Sequence, residues 1–162
     1  MSIRLTILGC GSSGGVPRLG PIWGACDPAN PKNRRRRCSV LVEKIVAGGF
    51  TNVLVDTPAD LREQLLDARV THLDGVLYTH DHADHTHGID DLRMVAYAMK
   101  ARVTCHFDPP TRDSVVSRFN YCFEQKPGSG YHPILKAPTI PANGEVRIDG
   151  VHSSFDIQGT PQ

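Results

Sequence analysis

The stretch Tyr78-Thr79-His80-Asp81-His82-Ala83-Asp84-His85-Thr86-His87-Gly88 sets four imidazoles and two carboxylates in eleven residues, directly after the apolar run Gly75-Val76-Leu77. Side chains alternate along an extended chain, so His80 and His82 leave the end of a strand on one side and can close on a single ion. Asp84 and His85 follow one turn later and suit a second ion, since paired catalytic metals typically stand ~3.5–4 Å apart. Imidazole and carboxylate without thiolate make a donor set for Zn²⁺ or Mn²⁺, and two divalent ions are the expected cofactors. The plainer alternative is a polar loop rich in histidine. The repeated spacing behind a buried-strand signal argues against it. His87 has a spacing that suits neither ion. His72, His106, His132 and His152 are scattered and read as ordinary polar residues.

Working outward, 162 residues with 40% hydrophobic content support one domain, spanning 1–162, with a core of its own. Lys plus Arg number 18 against 17 Asp plus Glu, so there is no global field to steer nucleic acid or an anionic membrane. Five cysteines without a Cys-x-x-Cys pair argue against a disulfide framework and for a reducing compartment. The start of the chain lacks a signal-peptide layout, and no apolar run approaches the ~20 residues of a membrane span. A cytoplasmic protein is expected.

Along the chain, Ile3 to Leu8 reads as a half-buried strand, and Ser39–Ile45 with Asn52–Thr57 as a hairpin turning at Gly48-Gly49. Leu61, Leu65 and Leu66 mark an amphipathic helix over Ala59–Arg69 behind Pro58. Then come the strand Gly75–Tyr78, the metal loop, a helix over Asp91–Lys100, a strand over Ala101–Phe107 and one helix over Thr111–Phe123. Further on, Ile134–Ala137, Glu145–Ile148 and Ser154–Ile157 look strand-like.

Three further motifs bear on chemistry. Gly9-Cys10-Gly11-Ser12-Ser13-Gly14 has the letters of a dinucleotide-binding fingerprint, but Gly15, Pro17, Gly20 and Pro21 prevent the helix that motif must open. An irregular turn is expected, whose amides with the Ser12 and Ser13 hydroxyls suit an anion and make these two residues candidate substrate contacts. Asp56 ends the strand Val53-Leu54-Val55. It reads either as a turn residue before Pro58 or, preferably, as the acceptor that fixes the tautomer of a metal-bound histidine. Arg34-Arg35-Arg36-Arg37 is the one basic run; it is a solvated loop unless it overlies the metal site, where it would grip a phosphate.

His80-x-His82-x-Asp84-His85 behind a strand, with Asp56 upstream, resembles the metallo-β-lactamase superfamily. Leu8-Gly9-Cys10-Gly11-Ser12-Ser13-Gly14-Gly15-Val16-Pro17, Trp23-Gly24 and Arg36-Arg37-Cys38-Ser39 look like its PhnP-type branch, the phosphoribosyl cyclic phosphodiesterases, with the ribonuclease Z group close by. The resemblance implies an αββα sandwich of α/β class with a dinuclear site at one edge of its sheets. It implies that His80 and His82 hold one metal, that Asp84 and His85 hold the other, and that a bridging hydroxide attacks phosphorus in a small cyclic or nucleotide-like phosphodiester. Asp84 then serves catalysis at the second metal and Asp56 positions a histidine. Other superfamily hydrolases, acting on an RNA 3′ end, a thioester or a lactone, are the alternatives, as is a non-catalytic metal-binding module.

Two departures qualify these expectations. Where the branch carries several cysteines for a structural zinc after the tryptophan, this chain has Cys26 alone, so no such zinc is expected. The family completes its site with ligands downstream of the first motif, and Ile157-Gln158-Gly159-Thr160-Pro161-Gln162 looks like the strand leading to the next one. The chain therefore reads as the N-terminal half of the domain, truncated at its C-terminus and inactive alone, with an incomplete second sheet that favours self-association.

Overall fold

In the computed structural model, residues 1–150 and 153–158 are described. β1 (Ser2–Gly9), β2 (Ser39–Val46) and β3 (Gly49–Val55) run as an antiparallel meander. The β2–β3 turn is the two-residue Ala47-Gly48, and Gly48 takes φ 83°, a conformation that costs glycine little. From β3 the chain passes through α1 (Leu61–Asp67) to β4 (Gly75–Leu77), which pairs with β3 in parallel. α1 is shorter than the apolar spacing predicts. It ends before Arg69, which sits in the left-handed region at φ 55°.

After β4 come α2 (Ala83–Thr86), α3 (Leu92–Met99) and β5 (Val103–His106), then α4 (Pro109–Arg118), α5 (Asn120–Phe123) and β6 (Leu135–Lys136). The six strands form one sheet in the order β1-β2-β3-β4-β5-β6, parallel from β3 onward. The single helix expected over Thr111–Phe123 is two helices. α4 opens at Pro109 and Pro110, the two prolines the sequence offers as its start, and is capped by Asp108, whose Oδ1 accepts from Thr111 N at 3.2 Å. It breaks at Phe119 (φ −120°, ψ 34°), which turns Cys122 and Phe123 into the core and lets the Cys122 carbonyl accept from Ile134 N at 2.8 Å.

β7 (Glu145–Gly150) and β8 (Ser153–Gln158) make a separate antiparallel pair. The two faces of β3 show the layering. Leu54 joins the helix-side core with Leu61, Leu92, Val115 and Phe107, whereas Val53 packs with Val146 and Ile148 of β7. Each such buried side chain contributes roughly 1.5–3 kcal/mol through apolar burial. The result is helices, sheet, then the β7–β8 pair: a mixed α/β arrangement with a central sheet, as the sequence predicts. On β1, Ile3, Leu5 and Ile7 share a face and stand 61–63% exposed. His152 and residues 159–162 of the segment expected to lead to a further ligand lie outside the described residues.

Candidate metal centre

Parallel pairing brings the carboxyl ends of β3, β4 and β5 to one edge, where open α/β sheets place ligands. The metal loop leaves that edge from β4 over a buried aromatic floor. Tyr78 stacks on Phe107 with ring centroids 4.6 Å apart and bonds the Thr57 hydroxyl at 2.7 Å, and burial pushes its phenol well above the ordinary range. His80 and His82 have ring centroids 4.7 Å apart, and His80 and His85 4.1 Å, so the three imidazoles the motif singles out are together. Asp84 Oδ2 lies 3.4 Å from His85 Nε2.

Asp56 organises this group. It is 2% exposed and holds φ 61°, a left-handed conformation in which Asp is tolerated but uncommon. Its carboxylate accepts from Thr79 N at 2.8 Å, from Thr79 Oγ1 at 2.8 Å and meets His85 Nδ1 at 2.7 Å. An ionised carboxylate only accepts, so His85 Nδ1 carries a proton, while its Nε2 faces Asp84. Thr79 Oγ1 has spent its own proton on Asp56, so at 2.9 Å from His80 Nδ1 it accepts. His80 Nδ1 thereby carries a proton as well. One buried carboxylate sets two histidines, one directly and one through Thr79. Thr79 is a residue that sequence reasoning missed; its place between strand and first histidine is the signal that could have found it.

The loop backbone is tied into the same edge. Thr57 N donates to His85 O at 2.8 Å, Gly88 N to Thr57 O at 2.8 Å and Thr86 Oγ1 to His82 O at 2.9 Å. Asp81, between the first two histidines, points to α4. It accepts from Ser114 Oγ at 2.6 Å and from Arg118 Nη2 at 2.9 Å, contacts that hold its carboxyl below the usual range.

The residue types fit a divalent ion of the zinc type: three imidazoles, two of them oriented through Nδ1, beside the Asp84 carboxylate. Among the described residues, though, no three His, Cys, Asp or Glu side chains stand in a ligating set. The four side chains expected as ligands do not by themselves make up a ligating set of three. His87 instead packs edge-on to Phe119 (5.8 Å), His72 meets Asp74 at 2.8 Å and His132 meets Gln125 at 3.2 Å. None of them joins the cluster.

Ser12 and Ser13 are exposed and make no hydrogen bond to the cluster. Their turn is held through main-chain oxygens: Ser12 O accepts from Gly15 N at 2.8 Å and Ser13 O from Arg37 Nε at 3.0 Å. The basic run is largely engaged in structure. Arg37 pairs with Asp60 at 3.0 Å and Arg36 with Asp67 at 2.9 Å, while Arg35 N donates to Val16 O at 2.9 Å. Next in the chain, Cys38 has its thiol pushed up by partial burial and then by the charges of Asp56, Cys10 and Asp84, which places it at the border of the metal loop.

A sequence-family profile described as "Beta-lactamase superfamily domain" matches residues 51–162. The fold superimposes on the crystal structure of a diphosphatase of the PhnP family with TM-score 0.74 and 31% identity, over 91% of this chain and 56% of that one. It also superimposes on Zn²⁺-bound PqqB of Methylobacterium extorquens with TM-score 0.60 and 19% identity, over 91% and 49%, a likeness of fold. An octanoyltransferase of Porphyromonas gingivalis is 35% identical over 134 residues, 83% of this chain and 26% of that protein. The chain thus spans about half of the solved relatives and about a quarter of the last.

Proposed function

The chain belongs to the β-lactamase superfamily, and from that membership we propose that it forms part of a metal-dependent hydrolase that cleaves a small cyclic or nucleotide-like phosphodiester. The observation that carries this reading is the Asp56 network, which orients both His80 and His85 through Nδ1. His80 and His82 would hold one divalent ion, Zn²⁺ or Mn²⁺, and Asp84 and His85 a second. Such ions lower the pKa of a bound water toward ~7 and neutralise phosphoryl oxygens. The chain's own part would be to aim the imidazoles, through Asp56 and Thr79, above the buried Tyr78 and Phe107 pair. Phosphorus as the reacting centre is supported by the diphosphatase relative at 31% identity. Ser12 and Ser13, in the turn after β1, are the proposed contacts for the substrate's anionic group. Catalytic zinc usually takes about three protein ligands, so turnover requires donors beyond these four residues.

A second reading, acyl rather than phosphoryl transfer, has one observation in its favour, the 35% identity to the octanoyltransferase. The match covers 26% of that protein, so most of it has no counterpart here. The test compares hydrolysis of bis(p-nitrophenyl) phosphate, a 2′,3′-cyclic nucleotide and an octanoyl thioester by the Zn²⁺- or Mn²⁺-loaded protein, alone and continued by the remaining ligand segments of a relative. Phosphodiester cleavage abolished by His80→Ala is the expected result. Thioester cleavage without phosphodiester cleavage overturns it.

A further inference from the structure

We propose that Cys10 and Cys38 are a modification site: a cross-strand thiol pair that a low-molecular-weight disulfide oxidises to an intramolecular bond. The pairing of β1 with β2 sets Gly9 opposite Ser39, and beyond the strand end Gly11 is bridged to Arg37, with Gly11 N donating to Arg36 O at 2.7 Å. Positions 10 and 38 lie between these two contacts, which brings their backbones alongside each other at the sheet end. Extended segments that neighbour each other in a sheet lie roughly 4.7–4.9 Å apart. That separation lies inside the ~4.4–6.8 Å window that a disulfide requires. Both cysteines are free and exposed. The other three differ in surroundings. Cys105 and Cys122 are buried with thiols pushed upward, and Cys26 sits in the loop between β1 and β2.

The chemistry balances with glutathione disulfide as the oxidant. The thiolate of one cysteine attacks a glutathione sulfur, the glutathione S–S bond breaks and one glutathione thiolate leaves. The second cysteine, deprotonated, attacks the protein-side sulfur of the mixed disulfide, forms the Cys10–Cys38 bond and expels the second glutathione thiolate. Two electrons pass from the cysteines to the oxidant, and their two protons end on the two glutathione thiols. The bond would clasp the base of the 11–37 loop, which carries Ser12, Ser13 and Arg34–Arg37, beside the metal loop.

The test uses the whole chain, incubated natively with glutathione disulfide, alkylated and mapped by peptide mass spectrometry. Loss of two of the five thiols in a Cys10–Cys38 crosslink, reversed by dithiothreitol, is expected, with slower proteolysis inside 11–37. Cys10→Ser and Cys38→Ser should each lose the crosslink and carry one glutathione on the remaining cysteine. Separate glutathione adducts on both cysteines without closure, a link through Cys26, or no reaction overturns the proposal. None of these readouts depends on hydrolase activity, so the functional reading can fail while this one stands.

Discussion

Two loops flank the candidate centre and are built in opposite ways. Residues 78–88 are short and fastened from within: Asp56, Thr57 and Pro58 at the end of β3 receive or supply the contacts that fix Thr79, His85 and Gly88. Residues 10–38 are long: main-chain bonds pair Gly11 with Arg36 and Val16 with Arg35 inside the loop, and partly exposed ion pairs, Arg37 to Asp60 and Arg36 to Asp67, tie it to the rest of the molecule. An interior anchor is rigid because it cannot exchange for water, whereas a surface ion pair is worth little. The largest test of this contrast is Gly88→Ala. The new Cβ would stand 2.0 Å from Pro58 O and 2.8 Å from Leu61 Cβ, and neither atom belongs to a yielding side-chain end. Overpacking of this kind should cost about 3 kcal/mol, read by urea denaturation. A loss under about 1 kcal/mol would mean that the short loop can move off β3.

The second test, Asp56→Asn, separates charge and hydrogen bonding from backbone strain, because Asn also tolerates φ near +60°. Asn offers one acceptor oxygen where three donors converge, so either Thr79 N or His85 Nδ1 loses its partner. Loss of such a histidine-orienting group typically weakens metal binding about 10- to 100-fold. Zn²⁺ titration by calorimetry should show that weakening. Unchanged affinity would leave Asp56 as a turn residue only.

The same contrast explains what the sequence disclosed. His80, His82, Asp84 and His85 were legible because ligand types at strand-end spacing have few other uses, and Asp56 because a carboxylate ending the apolar run Val53-Leu54-Val55 needs a reason. The β2–β3 hairpin followed from alternation and from the Gly48 turn. Thr79 was hidden, since its role depends on a parallel pairing that no local pattern encodes. The break at Phe119 was hidden too, for it is set by what Cys122 and Phe123 must bury against, not by helix propensity. That Arg36 and Arg37 are engaged by Asp67 and Asp60 was hidden, because these carboxylates, at the two ends of α1, come near only in the fold.

A smaller effect is expected from Arg37→Met. It removes the 3.0 Å pair with Asp60 and the bond to Ser13 O but keeps the backbone bond from position 37 N to Asp60 Oδ2. Both partners of the pair are partly exposed, so the loss should be about 1 kcal/mol, with proteolysis accelerated inside 10–38 and Zn²⁺ affinity unchanged. A fall in Zn²⁺ affinity comparable with that of Asp56→Asn would show that the long loop also shapes the metal centre.

The smallest effect is a pH slope confined to the short loop's support. His106 ends β5, and its carbonyl accepts from Tyr78 N at 3.1 Å directly beneath the metal loop. Burial of its ring holds its pKa below the ordinary 6.5. A lowered folded-state value means that the unfolded chain binds the proton more readily, so this contribution is complete above about pH 6.5 and is lost as pH falls toward the folded value. Metal-free protein should therefore unfold at lower urea near pH 5 than near pH 7.5, and His106→Gln should remove part of that difference, below about 1 kcal/mol. Because the segment 10–38 contains no histidine, proteolysis within it should not follow this slope. If acid opens 10–38 together with 78–88, and His106→Gln suppresses both, the two loops are one cooperative unit and their separate anchoring is wrong.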